Sequence, residues 1–570
     1  MASPTTPNAL YNNYFVKEAD LKYVPPYLRD TPETREEVKC ATAGNWPQWL
    51  CGTFVRIGSG RFTVPLSEDG SKPNAVLQHF FDGLGILHKF RMVDGEVFYS
   101  SRHTAEGVVR KAKENGYVST TMFGLNANTP LKDAQDPCSA LLGAQQSLYL
   151  PQGHMGPDEV NVNVVPRRGM HLPPDSNPLS NGTASANPEV DEFLVHTDFN
   201  MLQVCDAKTL EPKRLLTYAA INPELKGYGI CAHPPKDRKR GLTFNYVISP
   251  DGVLSIFSLN IRSNPATVLW KTPLPCRPCY IHSMAMTDRF VVFIRNPLHM
   301  DVSDNTKQVM EMLEYEPDVP TFFFVLDKFS GKLVATYAGD SFMFFHSVNA
   351  YDYLDKRTNE VNIHVDLCSY AGGPVPYREY NLSNVLDPAA PFRDGTLIRY
   401  ELANVCQPML DGVSEPPRRV TVAAAIPGVA AELPRIAKSA SMDPHYRYVY
   451  FTAGNGGPSP GTAVPIGRLG NGLKMVQAAF FSRLAKSDWL TGEVRTWQPP
   501  DGESCPCEPI FIQRPGAKDE DDGVVLTIVV DREGTHSVLV ALDGRTFEEV
   551  ARAHMPQVYG LGPHGTFIES

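Results

Sequence analysis

The sequence predicts an all-β fold of the β-propeller type, on two observations. The first is composition: 49 prolines and 43 glycines among 570 residues suit many short strands joined by turns better than helices. The second is an internal repeat. Leu202-Gln203-Val204-Cys205-Asp206-Ala207-Lys208-Thr209-Leu210 returns as Phe324-Val325-Leu326-Asp327-Lys328-Phe329-Ser330-Gly331-Lys332. It returns again as Leu539-Val540-Ala541-Leu542-Asp543-Gly544-Arg545-Thr546-Phe547. A looser copy spans residues 482–494 and ends Leu490-Thr491-Gly492-Glu493-Val494. Each reads strand, Asp-centred turn, strand, which is the outer hairpin of a propeller blade. Isolated hairpins of a sandwich carry the same local pattern. An apolar fraction of 42% supports a large core.

Taken in order, residues 1–45 are polar and proline-punctuated and read as an extended N-terminal arm wrapping a single propeller domain over residues 46–570. Residues 50–62 read as strand and turn. Asp94-Gly95 between two apolar runs predicts a hairpin. Residues 102–139 mix helical and irregular character. Residues 140–150 are apolar enough for either a buried helix or a lipid-facing patch. Residues 164–190, rich in Pro, Asn and Ser, read as a surface insertion.

Several function classes are excluded. A net charge of −10 argues against a nucleic-acid partner, which needs basic surface. The longest basic run, Lys236-Asp237-Arg238-Lys239-Arg240, is interrupted by an aspartate. Eleven cysteines, an odd number without framework spacing, suit a reducing compartment. The N-terminus has neither the basic nor the apolar region of a signal peptide. The best apolar run, residues 420–431, contains Pro427 and is too short to span a bilayer. The expected location is therefore cytoplasmic, with peripheral membrane association if residues 140–150 face lipid. The sequons at Asn181 and Asn381 are then expected to stay unmodified.

Four of the 15 histidines share a setting. His233, His282, His346 and His564 each lie beside a strand-like apolar run and next to a small or turn-forming residue. A lone histidine in such a place is more often a core or surface residue than a ligand. Propeller topology changes the weighing, because the inner strands of successive blades meet at one axis. A helix-based site would show H-E-x-x-H, which is absent. His196-Thr197-Asp198, His299-Met300-Asp301 and His364-Val365-Asp366 have the H-x-D spacing that opens a two-histidine, one-carboxylate iron triad, but that spacing is common by chance. Of the candidate zinc-knot pairs, Cys276-Arg277-Pro278-Cys279 is interrupted by proline and Cys505-Pro506-Cys507 lacks the two-residue spacing, so these read as buried or incidental thiols. There is no phosphate-cradling glycine loop and no G-x-S-x-G elbow.

The motifs FDGLGILHKF (81–90), AHPPKDRKRGLTFNY (232–246), YIHSMAMTDRFVVF (280–293), FFHSVNAYD (344–352), AELPRI (431–436), CEPIFI (507–512) and PHGTF (563–567) occur in this order. Together they resemble the carotenoid cleavage oxygenases, over about residues 49–567. The resemblance implies a seven-bladed β-propeller capped by a dome of loops and helices. It implies a non-haem Fe(II) held by four neutral imidazoles, which by motif match are His233, His282, His346 and His564. It also implies carboxylates behind the ligands, matched by Glu432 and Glu508, with Asp198 standing where a third glutamate is expected. Such carboxylates fix the histidine tautomer and raise ring basicity. Aspartate is one methylene shorter, so a water-bridged contact is expected there.

The implied activity is a dioxygenase cleaving a C=C bond of a carotenoid or apocarotenoid with O2 as co-substrate, giving two carbonyl products. Phe342, Phe344 and Phe345 are candidate walls of a substrate tunnel. Cleavage of a phenolic stilbene is the alternative, for which only Lys111, Lys113 and Tyr117 are at hand. Retinoid isomerohydrolase chemistry and a non-catalytic propeller binding lipid or protein rank lower. Asp136-Pro137-Cys138 with residues 140–150 resembles the dome loop that meets the membrane in animal-type members.

Overall fold

The computed structural model describes residues 15–569 except 121–122, 125–154, 174–183, 304–308, 372–379, 386–394, 407–415, 455–464, 469–473, 477–482, 501–502, 505–506 and 532. Seven antiparallel sheets stand as blades around one axis. Blade 1 combines Gly52–Arg61, Leu84–Val93 and Glu96–His103 with the C-terminal strand Leu561–Glu569. Blade 2 runs Val165–Arg168, Glu192–His196, Leu202–Asp206 and Pro212–Leu216; blade 3 runs Lys236–Asp237, Leu242–Ile248, Leu254–Asn260 and Thr267–Pro273. Blade 4 runs Ala285–Met286, Phe290–Arg295, Thr321–Asp327 and Leu333–Gly339; blade 5 runs Phe342–Asp355, Glu360–Ala371, Thr396–Leu402 and Thr421–Ile426. Blade 6 runs Ala430–Arg435, Tyr448–Gly454, Arg483–Asp488 and Val494–Trp497; blade 7 runs Ile510–Gln513, Gly523–Asp531, Ser537–Asp543 and Glu549–His554.

The repeated aspartate is the turn's organiser. Asp206, Asp327, Asp488 and Asp543 each close an outer strand, and one carboxylate oxygen accepts from backbone N–H groups two or three residues on. The aspartate's own carbonyl accepts from the residue four places on, namely Leu210, Gly331, Gly492 and Phe547. That residue has φ of 62°, 70°, 73° and 62° respectively. The aspartate thus replaces ladder partners that the turn removes. The Asp94-Gly95 hairpin forms as predicted, with φ of 50° and 75°, joining Leu84–Val93 to Glu96–His103.

Middle strands are buried along their whole length, as in Leu242–Ile248, Phe290–Arg295 and Gly523–Asp531. Each is covered on both faces by neighbouring blades, so these strands read as continuous apolar runs rather than alternating ones. The packing between blades 4 and 5 collects Val292, Phe323, Phe342, Phe344 and Val365.

Two expectations need correction. Residues 38–44 of the arm are edge strands: Val38–Lys39 pairs with blade 1 and Ala41–Gly44 with blade 7, while Val24, Tyr27 and Leu28 are buried in the core. The supposed insertion at 164–190 contains Val165–Arg168, the axial strand of blade 2. Pro166 is tolerated there because this strand pairs on one side only. Residues 136–150 lie outside the described residues.

Of the two pairings that join the chain's ends, the longer is Gly52–Arg61 against Leu561–Glu569, whose register slips between Ile57 and Ser59. Gly58 sits at the slip, and a Cβ there would lie 1.9 Å from the Leu561 carbonyl oxygen and 2.4 Å from Gly562 Cα. Gly58→Ala is therefore expected to cost about 1–3 kcal/mol by overpacking. It should lower metal content as well, since Ile57 pairs directly with His564. A thermal melt and a metal assay on the purified variant check both; an unchanged melting temperature would contradict the close approach.

Candidate metal centre

Each of the seven blades delivers one polar group to the axis. His564 lies on the closing strand of blade 1. His233 and His282 sit just ahead of the two-residue axial strands of blades 3 and 4, and His346 lies within the axial strand of blade 5. Glu432 lies on the axial strand of blade 6, Glu508 just ahead of that of blade 7, and Asp198 between the second and third strands of blade 2. The loops carrying His233 and His282 are joined by a hydrogen bond from the His233 amide to the His282 carbonyl, 3.2 Å, and by a bridge between His233 and Ser283.

The four imidazoles present ligand atoms that all lie within 4.8 Å of one another. Nε2 of His564 is 3.2 Å from Nε2 of His233 and 3.2 Å from Nε2 of His346. The outward nitrogens are held by carboxylates. His282 Nδ1 donates to Asp198, whose oxygens lie at 3.0 and 2.9 Å. His346 Nδ1 donates to Glu432. His564 Nδ1 donates to Glu508 at 3.0 Å. Nδ1 therefore carries the proton on these three rings and Nε2 presents a lone pair.

The contact at Asp198 is direct, not water-bridged as side-chain length suggested. Its backbone approaches from a connecting loop rather than an axial strand, which makes up for the missing methylene. Tyr280 Oη donates to the same carboxylate at 2.8 Å, and the Ala232 amide does so at 3.3 Å. The other two carboxylates are braced likewise. Tyr370 Oη donates to Glu432 at 2.7 Å, and Arg435 forms a two-pronged pair with Glu508 at 2.8 and 2.6 Å. These three bracing residues escaped the sequence reading. Tyr280 and Arg435 stand inside recognised motifs, whereas Tyr370 carries no sequence signal.

Electrostatics agree with a site built for neutral ligands. Burial pushes His564 down to about 3 against the opposing pull of Glu508. Burial likewise lowers His282, and burial with the neighbouring imidazoles lowers His233. Burial alone would raise Glu508, but Arg435 and His564 outweigh it and hold the carboxyl below its ordinary range.

The set fits a divalent metal ion. Two nitrogens bound at about 2.1 Å and at right angles would lie about 3 Å apart, close to the two 3.2 Å separations. His282 Nε2 is buried without a hydrogen-bond partner, a costly state that a metal relieves. Three carboxylates outnumber the two guanidinium groups beside them, Arg435 and the buried Arg56, which leaves an excess of negative charge that a cation offsets. The H-x-D pairs do not assemble. His299 Nδ1 donates to the Pro278 carbonyl at 2.7 Å and His364 meets Tyr351 Oη at 2.8 Å. Cys276, Cys279 and Cys507 are free thiols.

A cavity of about 820 Å³, its open mouth included, has His282, His346 and His564 in its wall together with Phe80, Phe81, Phe123, Phe345 and Tyr380. Phe345 stacks on His282 with ring centroids 4.0 Å apart, and Phe81 stacks on Phe345 at 5.7 Å. Of the three phenylalanines singled out in sequence only Phe345 lines it; Phe342 and Phe344 belong to the core between blades 4 and 5.

His282→Ala should abolish stoichiometric metal binding while far-UV circular dichroism stays that of a propeller. Asp198→Asn, Glu432→Gln and Glu508→Gln should each weaken metal retention by about 10–100-fold, with Asp198→Asn as damaging as the others because its contact is direct. Competition with a calibrated chelator measures this; a mild effect at 198 alone would restore the water-bridged reading.

Residues 28–569 match the family described as retinal pigment epithelial membrane protein. The carotenoid dioxygenase of Neurospora crassa is 28% identical, covering 94% of this chain and 90% of that protein. The torulene dioxygenase of Gibberella fujikuroi is 28% identical, covering 94% and 92%. The β,β-carotene 15,15'-dioxygenase of Rattus norvegicus is 27% identical, covering 95% and 90%. A solved variant of Synechocystis apocarotenoid oxygenase superposes with a TM-score of 0.69 at 18% identity, covering 96% of this chain and 99% of that one. Its cobalt-substituted form gives 0.68 at 18% identity, covering 96% and 99%. With the match running from residue 28 to the penultimate residue, the protein belongs to the retinal pigment epithelial membrane protein family, the carotenoid oxygenases.

Proposed function

We propose that this protein is a non-haem Fe(II) dioxygenase that cleaves one C=C bond of a carotenoid or apocarotenoid with O2, giving two carbonyl products. One observation carries the reading: four imidazoles converge on one point, three of them buried in the wall of an aromatic cavity. Relatives named for carotenoid and torulene cleavage, 28% identical over nearly the whole chain, support the substrate class. His233, His282, His346 and His564 would hold the iron. When bound, Fe(II) supplies the activation of O2 that a spin-forbidden reaction with a polyene requires.

The chain's own residues do the rest. Asp198, Glu432 and Glu508 keep the proton on Nδ1 of three rings and leave Nε2 free to bind. Phe345, held in place by stacking on His282 and Phe81, gives the wall beside the cluster a rigid apolar contact for a conjugated chain. Asp82 accepts from the Phe123 and Gly124 amides at 2.6 and 3.0 Å, which pins the Phe123 ring in the same wall. Burial raises the Asp82 carboxyl to about 7.

The stilbene reading gains nothing from its candidate residues. Lys111 is paired with Glu159 at 2.7 Å and Lys113 with Glu68 at 2.9 Å, and neither these lysines nor Tyr117 line the cavity. Peripheral membrane contact through residues 140–150 suits a substrate that dissolves in lipid, since each CH2 exposed to water costs about 0.8 kcal/mol. No helix among the described residues is long and apolar enough to cross a membrane. Free thiols at the nine described cysteines suit a cytoplasmic location.

Purified enzyme loaded with Fe(II) should bleach β-carotene, torulene or an apocarotenal and yield two aldehydes, each labelled from 18O2 before exchange. Products isomerised or hydrolysed without oxygen uptake would establish isomerohydrolase chemistry instead. Phe345→Ala should lower kcat/KM by about 10–100-fold at unchanged iron content. Leu141→Glu combined with Leu142→Glu should reduce liposome binding and turnover of bilayer-embedded substrate, and spare detergent-solubilised substrate.

A further inference from the structure

A second cavity lies on the other side of the histidine cluster. The strand Leu561–Glu569 lines the aromatic cavity with Leu561, Pro563 and His564, and the second cavity with its last five residues. Blade 6 likewise gives Glu432 and Leu433 to the first and Arg435 to the second. The second cavity holds about 1300 Å³, its open mouth included, and is walled by seven cations and two carboxylates. That excess of positive charge stands in a chain whose net charge is −10.

Some of these cations have structural work. Arg435 grips Glu508, and Lys438 pairs with Glu569 at 2.8 Å. Arg167, Lys236 and Arg238 do not: among the described residues, none of their side chains has an ion pair or a hydrogen bond. Arg167 Nε is buried without a partner. Burial, then Arg435, pulls the Arg167 guanidinium down to about 10. Burial, then Arg167 and Arg238, pulls Lys236 down to about 8. Holding unpaired cations together in a concavity costs desolvation and mutual repulsion.

Lys236 and Arg238 come from the one basic run in the sequence. The aspartate that interrupts the run does not neutralise it. Asp237 is fully buried and turned to Lys328 at 2.7 Å and Arg240 at 2.9 Å, so its charge is already matched away from the cavity.

We propose that this cavity binds a small, multiply charged, phosphate-bearing anion, with Arg167, Lys236 and Arg238 as its recognition groups. Guanidinium forks match phosphate oxygens two at a time, and lysine adds a point charge. Strands from blades 1, 2, 3 and 6 enclose the cavity, which suits a compact ligand; an extended polyanion calls for a basic stripe along an open face. The site is independent of the catalytic reading.

The test is calorimetric titration of fructose 1,6-bisphosphate into the iron-loaded full chain, with iron content assayed before and after to exclude chelation. One saturable site is expected, weakening as salt is raised. Arg167→Gln and Lys236→Gln should each weaken it at least about tenfold at unchanged iron content. Arg238→Gln, which alters an exposed side chain, should weaken it with an unchanged melting temperature. Competition by vesicles of phosphatidic acid in phosphatidylcholine would identify the ligand as a lipid headgroup; binding indifferent to them would identify a free phosphate ester. Absence of saturable binding, or wild-type affinity in both Arg167→Gln and Arg238→Gln, would overturn the proposal.

Discussion

The centre depends on three hydrogen bonds from imidazole Nδ1–H to buried carboxylates. A neutral histidine has two tautomers, and only one turns a lone pair toward the axis. With Asp198, Glu432 and Glu508 accepting from His282, His346 and His564, the useful tautomer is the stable one before any metal arrives. The same bonds orient the rings, so that nitrogens from distant parts of the chain face each other at 3.2 Å. Two lone pairs at that distance, as on His346 and His564, repel, and a cation between them would relieve the repulsion. The bracing by Tyr280, Tyr370 and Arg435 extends rigidity outward into the blades.

A propeller suits this arrangement because its axial strand ends are close in space whatever their separation in sequence. The cost is that everything rests on closure. The strand Leu561–Glu569 both completes blade 1 and supplies His564. Closure of the ring therefore also places His564. Glu508 ties the two together further, since its amide donates to the Pro563 carbonyl at 3.0 Å and its carboxylate accepts from the Gly565 amide at 2.6 Å. Gly58 permits the close approach that this seam needs.

What could be read from the sequence was local. The Asp-centred hairpins announced themselves because a single aspartate organises each turn through its own side chain. The four histidines and the two glutamates were legible through motifs that keep their neighbours. The axial strands were not legible: Lys236–Asp237 and Ala285–Met286 are two residues long and have no period to detect. Val165–Arg168 was hidden by Pro166 within a polar stretch. Phe342 and Phe344 were mistaken for cavity walls because regular alternation puts them on the face of His346, whereas the strand's register slips between Phe344 and Ser347, and Phe345 shares the cavity with His346 instead. Arg435 could not be linked to Glu508 without the fold, since the pair spans two blades.

The asymmetry of the histidines follows from how the seven positions are shared. Blades 6 and 7 each hold a glutamate beside the histidine of an adjoining blade, 5 and 1 respectively. Blade 2 adjoins blade 3, yet Asp198 accepts nothing from the His233 ring; its carboxylate reaches past it to His282 of blade 4. Among the described residues no carboxylate forms an ion pair with His233. Asp198 serves this histidine another way, by accepting from the amide of Ala232, immediately before it, while the His233 amide is held by the His282 carbonyl. One aspartate thus positions two imidazoles, one through its ring and one through its backbone. Glu508 does the same for His564, accepting from its ring and from the Gly565 amide that follows it, so blades 2 and 7 both combine a ring contact with a backbone anchor.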